Sequence, residues 1–100
     1  PKYGLVSTMI KRATQRQHFD NQVVLGHIYN HQDMADAIIE LRVDTLHEHF
    51  HWSPNKMKRV LGRLRNSHAI DIQDNIVHLT ERGQERVNDF RQDNLVHTFA

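Results

Sequence analysis

Apolar residues recur along this chain first at helical spacing and then at strand spacing. Over residues 4–17, Leu5, Val6, Met9, Ile10 and Ala13 share one side of a helix, with Lys11, Arg12 and Arg16 elsewhere. A second periodic segment over residues 19–31 aligns Val23, Val24, His27 and Ile28, a stripe that His31 extends with Tyr29 beside it. The spacing fits one bent helix or two. Asp33 is placed to cap a short helix over residues 34–41, with Ala37, Ile38 and Leu41 as its apolar positions. Leu46 and Phe50, four apart, predict another short helix over residues 44–51.

Trp52 is followed by Ser53-Pro54, a helix-start signal. Serine caps the free N–H groups, and proline suits a first turn in which its missing N–H has no partner to lose. The helix from there to about Asn66 lines up Met57, Val60, Leu61 and Leu64, and every Lys and Arg of the segment lies off that stripe. The period then changes to two. With a two-residue loop at Asp74-Asn75, Ile70 opposes Leu79, Asp71 opposes His78, Ile72 opposes Val77 and Gln73 opposes Ile76. That register puts Ile70, Ile72, Val77 and Leu79 on one face, and a slip by one residue destroys the sorting. Thr80 caps a closing helix through Val87, Phe90, Leu95 and Phe99. The expected fold is mainly α with a small β-hairpin. In order it is a winged helix-turn-helix with an extra N-terminal amphipathic helix, residues 1–18 as a membrane-proximal helix or linker and 19–100 as the domain proper. Leu46, Trp52, Leu61, Ile72 and Val77 are expected to share one interior, with Phe50 and Met57 also as core.

Composition narrows the function. One hundred residues, 38% hydrophobic and 25% charged, make one domain with a modest core. The absence of cysteine removes disulfides, thiolate metal sites and thiol nucleophiles together. No apolar run approaches the ~20 residues that span a bilayer. The chain opens at Pro1 rather than Met, which is expected of a piece cut from a longer protein. The net charge of +1 hides a strong segregation. Lys2, Lys11, Arg12 and Arg16 face Asp20 alone in the first thirty residues, acids dominate 31–50, and Lys56, Lys58, Arg59, Arg63 and Arg65 meet no acid in 51–67.

Two motifs resemble bacterial winged-helix regulators: Thr45-Leu46-His47-Glu48-His49-Phe50-His51-Trp52-Ser53-Pro54 leading into the cationic helix, and Val77-His78-Leu79-Thr80-Glu81-Arg82-Gly83 leaving the hairpin. Among those regulators the iron-dependent repressors of the diphtheria-toxin-repressor type are the nearest. The start, Pro1-Lys2-Tyr3-Gly4-Leu5-Val6 with Lys11-Arg12 and the later Phe19, Leu25, His27 and His31, resembles the segment after the last span of metal ABC transporter permeases of the manganese, zinc and chelated-iron class. Some of those permeases carry an appended cytoplasmic winged-helix domain. The chain departs from the repressors near its end, where Arg91-Gln92-Asp93-Asn94-Leu95-Val96-His97 keeps Arg91 and Leu95 but lacks their His, Trp and Glu.

Two functional readings follow. In the first, the resemblance implies a cytoplasmic domain of a metal-ion permease, at the inner face of the membrane, that regulates or assembles the transporter. Its partners are then the membrane-embedded subunit, the ATPase or a second copy of itself. The cationic N-terminal helix fits that position under the positive-inside bias, its apolar stripe lying against headgroups or packing on protein. In the alternative, a cytoplasmic DNA-binding regulator of metal homeostasis uses residues 54–65 in the major groove. Asn55, Lys56, Arg59 and Arg63, with Ser53, point outward to bases and phosphates. Against DNA stand Asp44 and Glu48 on the preceding helix and a wing that offers Asp74 and no cation.

Nine histidines add a metal question. His47 and His51 share a helical face if that helix runs through both, and with Asp44 or Glu48 they become candidate ligands for a divalent metal such as zinc. His49 then faces away, and His27 and His31 share a face of their own. A pH response through histidine is the other use of such residues. No resident cofactor is expected. Gly-rich phosphate loops and nucleophile elbows are missing from the sequence, and the expectation is that the protein is not an enzyme.

Overall fold

A computed structural model describes the backbone of residues 2–99 and the side chains of residues 8–93. Helix α1 (Lys2–His31) is followed by two short helices, α2 (Ala37–Glu40) and α3 (Leu46–His49), and then by α4 (Pro54–Asn66). Strands β1 (Ile70–Gln73) and β2 (Ile76–Leu79) form an antiparallel hairpin, and α5 (Glu81–Phe99) closes the chain.

The two periodic segments at the start are one helix, continuous across residues 18 and 19. Its described residues 8–19 are exposed all round, whereas Val24, Leu25 and Ile28 are completely buried. The core gathers them with Leu41, Leu46, the α4 stripe Met57, Val60, Leu61 and Leu64, then Ala69, Ile70, Val77 and Val87. Of the five side chains expected to share an interior, Leu46, Leu61 and Val77 are buried. Trp52 and Ile72 are half-buried against the same core, as is Phe50. Leu95 and Phe99 lie outside the residues whose side chains are described.

The start of α4 is as expected: Ser53 is the N-cap, its Oγ accepts the Lys56 N–H at 3.1 Å, and Pro54 opens the helix. At the other end His68 takes a left-handed φ of 60°, and the Ala69 N–H reaches back to the Leu64 carbonyl at 2.9 Å, a Schellman-type closure that turns the chain into β1. The hairpin has the expected register at all four pairs, with Asp74 and Asn75 both at positive φ (52° and 65°) as a type I′ turn requires. A third, short strand segment carries no period-2 signal of its own. Arg42 bridges Ile76, the Val43 N–H donates to the Asn75 carbonyl and the Val77 N–H to the Leu41 carbonyl, so the outer edge of β2 is paired.

Two helical expectations need correction. Asp33 is not an N-cap: it sits at φ 63°, left-handed, and the helix shrinks to Ala37–Glu40 with Asp36 before it. Ile38 and Ile39 are therefore 70% and 66% exposed, and Leu41 alone of the expected stripe is fully buried. The helix expected over residues 44–51 also stops early. Phe50 caps it, and His51 has turned into the left-handed region at φ 56°.

Candidate nucleic-acid interface

Helix α4 buries one side, so each cation on it has one of two outlooks. Asn55, Lys58, Arg59 and Arg65 are exposed. The charged groups of Lys58, Arg59 and Arg65 make no hydrogen bond or ion pair among the described residues. Lys56 and Arg63 lie on the side that meets α1. Lys56 Nζ is 3.4 Å from Asp20 Oδ2 and 4.4 Å from the centre of the Trp52 ring, and Arg63 donates to Asn21 Oδ1 at 3.4 Å with its Nε buried and unpaired. The four candidate residues thus divide: Asn55 and Arg59 face outward, whereas Lys56 and Arg63 hold α4 to α1.

Folding also supplies a cation that sequence reasoning did not connect with this surface. A shallow groove between α1 and α4 is lined by Arg16 and Asp20 of α1 together with Lys56, Arg59 and Arg63. Basic residues some forty positions apart thereby share one side of the molecule, an arrangement suited to phosphate. The contacts on the other flank are less favourable. The hairpin carries exposed Asp71 and Asp74, and Asp44 beside α3 is engaged by Arg42, whose Nε and Nη2 donate to its two oxygens at 3.3 and 3.2 Å. That guanidinium holds the Asp44 carboxyl below its ordinary range. Between α3, α4 and β1 lies a mostly apolar groove of about 490 Å³, lined among others by Val43, His47, Met57, Lys58, Arg65 and Ile72.

The candidate ligands His47 and His51 are not on one helical face, since α3 ends between them. The histidines that converge are His27 and His31 near the end of α1, beside Glu40 of α2. Burial pushes the His27 imidazole below its usual pKa, opposed by its bond to the Glu40 carbonyl, so it is neutral at pH 7.

The arrangement was compared with known proteins. No family model matches the chain, and no curated protein matches it. Among solved structures it is similar to MepR, a transcription regulator of the Staphylococcus aureus multidrug efflux pump MepA. The TM-score is 0.63 at 19% sequence identity, over 97% of this chain and 81% of that one. The fold is a winged helix-turn-helix. Within it α3 and α4 are the helix–turn–helix, and β1–β2 are the wing. No helix among the described residues is long and apolar enough to cross a membrane.

Proposed function

We propose that this chain is a DNA-binding domain of the transcription-regulator type that places α4 in the major groove. The observation that carries the reading is the outward face of α4, where Asn55, Lys58, Arg59 and Arg65 are exposed at the helix–turn–helix and their three cationic groups are unpartnered. A long cationic side chain that merely solubilises a surface needs no particular location. Here Lys58 and Arg59 lie in the first half of the helix that such folds present to base edges and Arg65 in its last turn, with Arg16 of α1 alongside for the backbone. The likeness to a transcription regulator supports the same reading at the level of fold. The wing takes a lesser part, because Asp74 at its tip repels phosphate.

Attachment to a metal permease has no comparable support. Half of the residues that carry that resemblance, Pro1–Val6, lie outside the described side chains, and no comparison points to a transporter. A second copy of the chain is the partner best supported besides DNA. Met9 and Ile10 stand 62% and 60% exposed on the apolar stripe of α1 where it clears the core. Two copies covering that stripe would present two recognition helices, matching the two half-sites of a palindromic duplex.

Titration of a random duplex at low and then moderate salt tests the proposal. Affinity is expected to fall steeply with salt, by roughly 0.9 in log–log slope per phosphate contacted. Arg59→Glu is expected to lower the slope by about one or more and to weaken binding at least tenfold. Lys56→Glu should act chiefly on stability, since it sets a second acid against Asp20. No binding even at low salt, or equal binding by the Arg59→Glu protein, would remove α4 from the nucleic-acid role.

A further inference from the structure

At the end of α1 remote from its exposed half, three imidazoles surround one carboxylate. His27 and His31, one helical turn apart, have ring centroids separated by 4.5 Å, and the His49 ring from α3 stacks 5.7 Å from His27. Glu40 of α2 is the acid they share: its Oε2 lies 3.6 Å from His27 Nε2 and 3.2 Å from His49 Nδ1. One nitrogen of His27, one of His31 and a carboxylate oxygen of Glu40 all fall within 4.8 Å of one another. All three elements had to fold together to make this cluster. In the sequence only the His27–His31 spacing is visible.

The hydrogen bonds fix where the lone pairs are. His27 Nε2 faces the Glu40 backbone carbonyl at 3.0 Å, His31 Nδ1 faces Asp36 Oδ2 at 3.0 Å, and His49 Nε2 faces the Ile39 carbonyl at 3.3 Å. A carbonyl or carboxylate oxygen only accepts, so His27 Nε2 and His31 Nδ1 carry the proton and donate, whereas His49 faces an acceptor with each nitrogen. His27 is then left with Nδ1, and His31 with Nε2, as the basic nitrogen. This is the pattern by which metal-binding histidines are oriented, one nitrogen held by a carbonyl or carboxylate and the other turned to the ion.

His49 stands outside that trio and serves it from α3: its Nδ1 lies 3.2 Å from Glu40 Oε2 and its ring stacks on His27, so the carboxylate is held toward the two α1 imidazoles.

We propose that His27, His31 and Glu40 bind one divalent transition-metal ion of the zinc type, with Asp36 orienting His31 and His49 holding the Glu40 carboxylate from α3. Two imidazoles and one carboxylate suit zinc and its neighbours, whereas magnesium and calcium prefer all-oxygen sites. The ion ties the end of α1 to α2, with α3 joined through the His49–Glu40 contact. The site does not depend on the DNA reading, and either can fail alone.

The test uses the full chain without a histidine tag, titrated with Co²⁺ by visible absorption and then with Zn²⁺ in competition. One equivalent is expected to bind with the intense d–d bands of tetrahedral cobalt. Glu40→Gln should weaken binding at least about 100-fold, and Asp36→Asn about 10–100-fold. His31→Gln, at a site 28% exposed, is a second ligand variant that spares the core. A His47→Gln/His51→Gln protein should bind as the parent does. Circular dichroism confirms that each variant is folded. Absence of binding, weak octahedral cobalt spectra, or affinity unchanged in Glu40→Gln and His31→Gln would overturn the assignment and leave Glu40 as a hydrogen-bond partner of the histidines alone.

Discussion

Leu46→Ala should lower the unfolding free energy by about 2–5 kcal/mol, the range for emptying a buried leucine site. Leu46 is completely buried and is the single buried residue of α3, a helix of four residues with no side-chain cap. Such a short helix has no stability of its own. It is held by Leu46 reaching the core beside Met57, Val60, Leu61 and Leu64 of α4. Truncation therefore leaves a cavity and also frees α3 from α4, the pair that forms the helix–turn–helix. In a domain of this size the melting temperature should fall by more than about 10 °C. A change of only a few degrees in a thermal melt would mean that α3 is not anchored in this way.

Gly83→Ala should destabilise the protein by about 1–3 kcal/mol, although helix propensity alone predicts a gain of about 1 kcal/mol. Gly83 is buried in the first turn of α5, where its N–H donates to Thr80 Oγ1 at 3.1 Å. An added Cβ would collide with the carbonyl oxygen of Ala69 and come within 3.2 Å of Leu79 Cδ2. That carbonyl cannot retreat easily. It accepts the Thr80 N–H at 3.1 Å, while the Thr80 hydroxyl donates to the neighbouring His68 carbonyl. Gly62→Ala is the matched control. It too lies in a helix, but nothing stands within 4 Å of its added Cβ, so propensity acts unopposed and a gain of about 0.5–1 kcal/mol is expected. Chemical denaturation of the two variants should give shifts of opposite sign, and shifts of the same sign would contradict the close approach at Ala69.

The parts of the fold that could be read in advance are those governed by local chemistry. Ser53-Pro54 announces α4 because capping and the proline ring act within one turn. The register at Asp74-Asn75 follows from alternation, since only one pairing keeps Ile70, Ile72, Val77 and Leu79 together. The Val77-to-Gly83 motif was visible as a pattern, but its physical cause, the carbonyl of Ala69 against Gly83, exists only in the folded chain. Continuity of α1 was open because residues 17–20 interrupt the apolar stripe, and that interruption turns out to mark the point where a single helix enters the core. For α2, Ile38 and Ile39 suggested burial, yet the left-handed Asp33 turns the segment so that both face solvent.

The functional surface was legible to the same depth. Sequence periodicity places all five cations off the apolar stripe of α4 but does not say which flank another helix covers. Asp20 and Asn21 of α1 decide it, binding Lys56 and Arg63 and leaving Arg59 free. Arg16 joins the surface only through tertiary structure. His47 and His51 were a pair on the assumption of an unbroken helix, and a left-handed residue at 51 separates them. The cluster that forms instead needs α2 to fold back so that Glu40 meets His27.

The most direct measurement is the change in backbone amide resonances of the intact chain when a short duplex is added at low salt. The exposed positions of α4 from Asn55 to Arg65 should shift most, with Arg16 following, while the Asp74-Asn75 turn moves little. Perturbations centred on the hairpin or on α5, or none at saturating duplex, would contradict recognition by α4.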